Sequence, residues 1–455
     1  MINNGLSSIE KKVAFSLASV FGLRMMGLFM IMPVFALYGQ HLTGFSPLWV
    51  GIAIGAYGLT QALLQIPMGI LSDKIGRKPV ILGGLCLFAI GSVIAAMADS
   101  IYWVVAGRAI QGMGAIAAAI LALAADLTRD DQRTKVMAFI GMFIGFSFAL
   151  ALLVGPIVAQ HLGLAGVFML TAFFAVIGMV IVHFFVPAPV THAPKGDTLA
   201  APARLKAMLK DPQLIRLDAG IFILHLTLTA VFVALPFVLV DAGFTKEQHW
   251  KLYFPTFIGA FLLMVPLIIV GVKKKNTKAT FQISLAIMMV ALALLAISAN
   301  HLWVIALAVL LFFTAFNYLE ASLPSLIAKF CPAGDKGSAM GVYSTSQFLG
   351  AFCGGMLGGS IYQFVGAQGV FILALVLMTF WLVLTLGMKN PVLLKSYTLN
   401  ANIKDNQQAK VLASELSAVS GVVEAILIAE EQAAYLKVND EFDLSAARAV
   451  LATVD

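Results

Sequence analysis

Near-continuous apolar runs recur down most of the chain, at roughly 13–40, 47–72, 79–98, 101–126, 136–160, 165–187, 215–240, 252–272, 279–299, 302–328, 338–364 and 369–388. Short polar connections separate them. About 20 residues wound as an α-helix, at about 1.5 Å each, cover the roughly 30 Å of a bilayer's hydrocarbon core. The pattern therefore predicts twelve membrane-spanning helices. Strands of a membrane β-barrel would alternate apolar and polar residues in segments of about ten, and these runs do not alternate. The first run follows Lys11 and Lys12, exceeds the apolar core of a signal peptide and has no small-residue cleavage pattern behind it. It reads as a retained first span.

From about residue 392 the pattern changes. "LLKSYTLN" reads as a strand, 404–419 as a helix, "VVEAILIA" and "AAYLKVN" as a hairpin turning at Glu430 to Gln432, and 443–453 as a second helix. The order βαββα is most of a ferredoxin-like split βαβ unit without its last strand. A second boundary lies between the sixth and seventh spans, where "PAPVTHAPKGDTLAAPARLKAMLKDP" (187–212) is rich in Pro and basic residues. The expected organisation is a six-helix bundle at 1–187, a linker at 188–213, a second six-helix bundle at 214–391 and a small soluble α+β ferredoxin-like domain at 392–455.

Composition agrees. Hydrophobic residues make up 61% of the chain and charged residues 11%, with a mean hydropathy of +0.96, so the lipid bilayer is its first partner. Lys and Arg gather in alternate connections: Lys74, Arg77 and Lys78; Arg129, Arg133 and Lys135; Lys195, Arg204, Lys206, Lys210 and Arg216; Lys273, Lys274, Lys275 and Lys278; Lys329 and Lys336. The opposite connections hold Lys246 and Lys251. By the positive-inside rule both termini are cytoplasmic. The net charge of +7 is then mostly a topology signal and needs no nucleic-acid partner. The tail is the exception, with five basic and nine acidic residues after 392. Cys86, Cys331 and Cys353 share no metal-ligand spacing and define no disulfide framework.

The two halves repeat. At an offset of 203, Asp126 meets Lys329, Arg133 meets Lys336, Met137 meets Met340 and Gly155 meets Gly358. Twelve spans with a parallel repeat fit a transporter built from two bundles around a midplane site.

"GILSDKIGRKP" (69–79) sits at the turn between spans 2 and 3. Its glycines permit a tight turn and close backbone approach, Asp73 ends one helix, and Arg77 with Lys78 begins the next. The spacing of Gly69, Leu71, Asp73, Gly76, Arg77 and Lys78 resembles the signature of the major facilitator superfamily in that loop. "GRAIQGMGA" in span 4, with Arg108, Gln111, Gly112 and Gly114, resembles a second pattern of that family. "GFSFALALLVGPIVA" in span 5 resembles its antiporter motif at Gly145, Gly155 and Pro156, but Val158 and Ala159 replace the final glycines, which weakens the antiport implication. "GLFMIMPVF" in span 1 resembles the segment of drug:proton antiporters that ends in Pro-Val, and the tail resembles the small domain of YajR-type transporters of bacterial inner membranes. The resemblance implies two six-helix bundles rocking about a central cavity lined by spans 1, 4, 7 and 10. It also implies a conformational latch of Gly69, Asp73, Gly76, Arg77, Lys78 and Asp126, in which Arg77 reaches Asp126 and Asp73 faces the start of span 11 near Lys336. The equivalent connection of the second half, "GVKKKNTK", lacks the Asp and the second Gly, so an asymmetric gate is expected.

Arg24, Arg108, His225 and Glu320 are ionisable residues deep inside spans 1, 4, 7 and 10, where a charge costs about 2.5–3.5 kcal/mol on insertion scales. Glu320 is the leading proton carrier, because a carboxylate withdrawn from water can take up and return a proton. His225 is second, since imidazole titrates nearest neutrality; hydrogen-bonded packing is its bland alternative. Arg24 and Arg108 stay charged and would hold an anionic group or a carboxylate, or pair only for packing. Gln61, Gln111, Asn317 and Gln347 add polar contacts that interhelical bonding would equally explain. Met25, Met26, Met30 and Met32 crowd span 1 as a pliant apolar surface or as filler. "GAFCGGMLGG" (350–359) serves close helix packing or a hinge and is no phosphate loop. "ANIKDNQQ" lacks the thiolates of a soft-metal site.

The reading is a secondary active transporter of a small molecule, coupled to protons, exporting an amphiphilic compound, with no cofactor, no metal and no enzymatic constellation. Proton-coupled uptake of a metabolite and a ligand-sensing receptor are the alternatives. The tail is a candidate for self-association or for binding a regulator.

Overall fold

Ser7 opens span 1 (Ser8–Phe29) with a capping box: its hydroxyl accepts from the Glu10 N–H at 3.2 Å, and the Glu10 carboxylate accepts from the Ser7 N–H at 2.8 Å. The computed structural model describes residues 5–129, 132–187, 205–206, 208–273, 276–298, 301–390 and 394–452. Most of the expected linker, including Lys195 and Arg204, lies outside the described residues, as do Lys274 and Lys275.

Eleven described helices are long and apolar enough to cross a membrane. The longest, Arg133–Phe185, is two spans joined at Gly163, where φ is +66°. Counted that way, spans 2 to 4 are Pro47–Ile75, Arg77–Ala96 and Ile101–Asp126, and spans 5 and 6 flank Gly163. Spans 7 to 12 are Pro212–Asp241, Trp250–Lys273, Thr277–Ile297, Leu302–Phe330, Lys336–Val365 and Ala367–Leu386.

Two spans depart from the continuous helices the apolar runs predict. Span 1 stops at Phe29 and resumes as the short helix Phe35–Tyr38; Pro33 between them has no N–H to carry the helix on. Span 4 is Ile101–Met113 followed by Ala117–Asp126, opened at Gly114. The opening frees the Gly114 carbonyl for Arg24.

The repeat is visible in equivalent contacts. Gly163 and Gly366, 203 residues apart, both hold positive φ (+66° and +83°) where one span turns into the next; a β-carbon there would be strained. Gly155 packs on the backbone of Met30 and Gly358 on that of Ala230, so span 5 meets span 1 as span 11 meets span 7. Lys78 donates to the carbonyl of Val186 at the end of span 6, and Lys278 to that of Leu386 at the end of span 12. Each Lys satisfies carbonyls that a helix end leaves open.

The halves meet on the side of the membrane away from the basic connections, here the far face. A β-carbon on Gly51 of span 2 would strike the Gly355 carbonyl of span 11, and Gly55 and Gly58 seat somewhat less tightly on the backbones of Phe352 and Phe348. Small residues let the two backbones touch. Lys246 lies over the Tyr38 ring at 4.6 Å on the same side. Nearer the middle, Phe148 of span 5 packs against Phe257, Phe313 and Phe316 of spans 8 and 10, with centroids 5.0, 6.2 and 6.3 Å away. Toward the basic face, Leu262, Leu263, Val265, Ile268, Ile269 and Val270 of span 8 are exposed. At about 100° per residue they cover about 220° of the helix, so little of the protein packs against this end of span 8.

The tail has strands β1 (Lys395–Asn400), β2 (Val422–Ile428) and β3 (Ala433–Val438) in the order β1-β3-β2, with β3 antiparallel to both. β1 and β2 thus run parallel across an inserted β3, joined by the helix Asn406–Ser417, and Leu444–Ala452 follows. These are the elements the sequence predicts, and no fourth strand occurs among the described residues. Every residue of β3 is buried. Ala434, Leu436 and Val438 face the tail's own helices, while Ala433 and Tyr435 pack on Ala333, between spans 10 and 11. Lys437 donates to the carbonyls of Lys329 (2.9 Å) and Cys331, and Glu424 accepts from the Ala333 N–H at 3.2 Å. The period-2 alternation of a strand therefore presents one face to its domain and the other to the membrane body.

Candidate functional site

Three clusters contain the residues singled out from the sequence. In the first half, Arg24 is 1% exposed and its Nη2 donates to the Tyr57 hydroxyl (2.6 Å), Gln61 Oε1 (2.8 Å) and the Gly114 carbonyl (3.0 Å). Arg108 is 2% exposed; it donates to Gln111 Oε1 (2.7 Å) and to the carbonyls of Ala53 and Ile54, while Gln111 donates to Ser92. Both guanidiniums lie near the Tyr57 ring, at 5.8 and 5.1 Å from its centroid. Two buried cations are thus held by neutral oxygens and a π face. Nε and Nη1 of Arg24 have no hydrogen-bond partner. Met25, Met30 and Met32 are buried and serve packing.

In the second half, Gln347 of span 11 joins Glu320 and His225. Its amide donates to Glu320 Oε1 (3.0 Å) and to His225 Nε2 (2.9 Å). With Nε2 accepting, the neutral ring carries its proton on Nδ1, the nitrogen that faces Glu320 Oε2 at 3.8 Å. The Glu320 side chain is 34% exposed and that of His225 12%. Asn317, one turn from Glu320, is 9% exposed. Asn317 Nδ2 and Glu320 Oε2 lack a hydrogen-bond partner. Each buried group left so costs about 1–3 kcal/mol. The Phe316 ring, 5.9 Å from His225, links this cluster to the aromatic contact between the bundles.

The third cluster ties spans 2, 3 and 4. Arg77, 1% exposed, pairs with Asp73 (Nη1 to Oδ1, 2.6 Å) and with Asp126 (Nε to Oδ2, 3.2 Å), and donates to the Ser72 hydroxyl, which in turn donates to the Gly69 carbonyl. Gly76 makes the turn between spans 2 and 3 with φ +98°. Lys78 points away, to the end of span 6.

Tyr57, Asp218 and Tyr343 were not singled out from the sequence. Asp218 on span 7 and Tyr343 on span 11 are buried with an unpartnered oxygen each. Asp218 resembles an ordinary acid near a helix start, and a tyrosine inside a span resembles filler. The signal was present only as polar atoms at positions the apolar period buries.

The Major Facilitator Superfamily model matches residues 17–318 and 257–420. The chain is 46% identical over 434 residues to the inner membrane transport protein YajR of Escherichia coli K12, covering 95% of each. It is 27% identical to the multidrug resistance protein MdtH of Aeromonas hydrophila, over 76% of this chain and 86% of that one. Among solved structures, that of the nucleoside transporter NupG has a TM-score of 0.66 at 14% identity, over 83% of this chain and 99% of NupG; at that identity the likeness concerns the fold. Twelve spans in two repeated bundles, the family match across the membrane body and the identity to YajR agree: the chain belongs to the Major Facilitator Superfamily and is an integral membrane transporter.

Proposed function

We propose that the chain is a proton-coupled exporter of amphiphilic small molecules in a bacterial inner membrane, with its basic face and tail in the cytoplasm. The carrying observation is Glu320: a partly accessible carboxylate inside a span, with one oxygen bonded to Gln347 and the other unpartnered, 3.8 Å from His225 Nδ1. Ionised, Glu320 attracts the Nδ1–H; protonated, it loses that attraction. Spans 7, 10 and 11 thus have two electrostatic arrangements, which is what coupling a proton to bundle movement requires. The positive-inside rule supports the orientation, the similarity to an inner membrane transport protein supports the membrane, and that to a multidrug resistance protein supports drug-like cargo. In this orientation the close contact of Gly51 with Gly355 lies on the far side of the membrane. The apolar walls beside Glu320, with Phe316 and Phe148, suit an amphiphile.

The test is a proteoliposome assay with an internal pH dye and a panel of amphiphilic compounds. Glu320→Gln should abolish flux driven by a pH gradient and retain exchange of the transported compound; full proton-driven transport in Glu320→Gln removes Glu320 from the mechanism. We also read Asp73, Arg77 and Asp126, with Gly69, Gly76 and Lys78 shaping the turn, as the latch of the cytoplasmic gate. Asp73→Asn should lower flux with normal membrane insertion, and unchanged flux would sink that reading.

A further inference from the structure

Arg24 is a cation held without a counter-charge. The three groups that accept from it, the Tyr57 hydroxyl, the Gln61 amide and the Gly114 carbonyl, are neutral, and its Nε and Nη1 donate to nothing. The second buried cation, Arg108, lies near the same Tyr57 ring and is likewise bonded by neutral oxygens. A guanidinium cannot shed its proton, so burial does not neutralise it. A buried charge without a partner destabilises a fold strongly, and inside a span it marks a functional place. The planar fork with two idle N–H groups is the shape that meets the paired oxygens of a carboxylate, sulfonate or phosphate. Gln61 Oε1, 2.8 Å from Nη2, already stands where one such oxygen would sit, and the Gln61 amide is steadied by donating to Gln65 Oε1 at 2.7 Å.

The cluster borders the contact between the halves. Tyr57 packs edge-on against Phe348 of span 11, with centroids 6.2 Å apart, and Phe348 follows Gln347, which bonds Glu320. Phe29, about 8 Å along span 1 from Arg24, packs edge-on against Phe148 at 4.5 Å and so joins the aromatic wall that runs on to Phe316 and His225. A charged pole and an apolar wall thus lie within the length of one amphiphile. We propose that Arg24 binds the head group of the cargo, and that the cargo is an anionic amphiphile. The anion takes the place of the Gln61 amide and bonds to the idle N–H groups, while the apolar body lies along Phe29 and Phe148. The proposal rests on the amphiphile reading above and names the charge of the head. If Arg24 served only to tie spans 1, 2 and 4 together, binding would show no preference for charge.

The test uses full-length protein in a nonionic detergent and pairs of compounds that share one apolar body, a permanently charged sulfonate and its neutral sulfonamide. Dissociation constants are taken from the rise in melting temperature with ligand concentration. Wild type should bind the sulfonate on the order of 10–100-fold more tightly, which is what a hydrogen bond to a charged group is worth. Arg24→Gln should bind both alike. Gln61→Glu is nearly isosteric and sets a carboxylate of the protein against Nη2, so it too should erase the preference. Equal binding in wild type, or a preference that survives in Arg24→Gln or Gln61→Glu, overturns the anion site and leaves the amphiphile reading standing. Binding of neither member of any pair overturns the amphiphile reading and the site with it. Gln61→Glu retains the cation and gives it a partner, so it decides the matter if Arg24→Gln does not fold.

Discussion

Arg77→Met removes a buried cation and leaves two carboxylates facing each other. In the native protein the Arg77 and Asp126 side chains are fully buried and that of Asp73 is 18% exposed. At an effective dielectric near 20, unit charges about 4 Å apart attract by about 4 kcal/mol. Burial has already cost part of that, so the quantity to use is the loss on deleting one partner, about 3–5 kcal/mol. A surface cluster that only sets topology would lose about 0–1 kcal/mol. For a bundle of this size, 1 kcal/mol moves the melting temperature by about 2–4 °C. Arg77→Met should therefore melt about 6–20 °C below wild type, read in detergent with a thiol-reactive dye that reports exposure of buried Cys331. Arg77→Lys retains the charge but not the fork that meets Asp73 and Asp126 together, and should fall between. Asp73→Asn loses the partly hydrated arm and should stay within about 4 °C. A melting temperature for Arg77→Met within about 2 °C of wild type would refute the clamp and return the cluster to a topology signal.

Two further outcomes follow from the packing. Gly51→Val drives a side chain into the Gly355 carbonyl, so the far face should open more often; a cysteine replacing Tyr362 should label severalfold faster with an impermeant thiol reagent from that side, and equal labelling would show that this contact does not close the gate. Lys437→Ala removes the ammonium shared by the Lys329 and Cys331 carbonyls, bonds worth about 1.5–3 kcal/mol each; amide exchange in Ala333 and Gly334 should speed up while exchange in the tail's helices does not, and uniform exchange would mean that the tail is held elsewhere.

Much of this architecture was legible because a bilayer leaves few choices. Residues facing lipid must be apolar and backbone polar groups must be satisfied within helices, so the apolar runs fall close to the spans, and ionisable residues inside them had to face protein or a cavity. That reasoning selected Glu320, His225 and Gln347, which meet, and Arg24 with Gln61, which also meet. It did not say which helix each residue faces. Arg24 and Arg108 share no carboxylate in their described contacts; they share Tyr57, a residue whose apolar ring hid its role. The opening of span 4 was hidden similarly, because Gly114 stands inside a motif whose glycines also serve close packing, and only the approach of Arg24 gives its freed carbonyl a purpose. In the tail the pattern is local and its strands and helices were readable, but β3 looked like the centre of a small sheet. That its second face covers the connection between spans 10 and 11 depends on the fold of the whole chain.

The two halves secure equivalent helix ends by different means. The end of span 4 carries Asp126, held by Arg77 from the start of span 3. Its counterpart at the end of span 10, 203 residues on, is Lys329, where a cation from the start of span 9 would meet like charge. The carbonyls of Lys329 and Cys331 instead accept from Lys437 of the tail. The first half is thus tied by a buried ion cluster within its own bundle, and the second by a lysine from a domain that carries more acid than base. A clamp made inside the bundle lasts as long as the bundle is folded. The segment that the tail's lysine holds joins span 10, which carries Glu320, to span 11, which carries Tyr343 and Gln347. The tail thus contacts the connection between the two helices that carry Glu320 and Gln347, the residues the proposed coupling rests on.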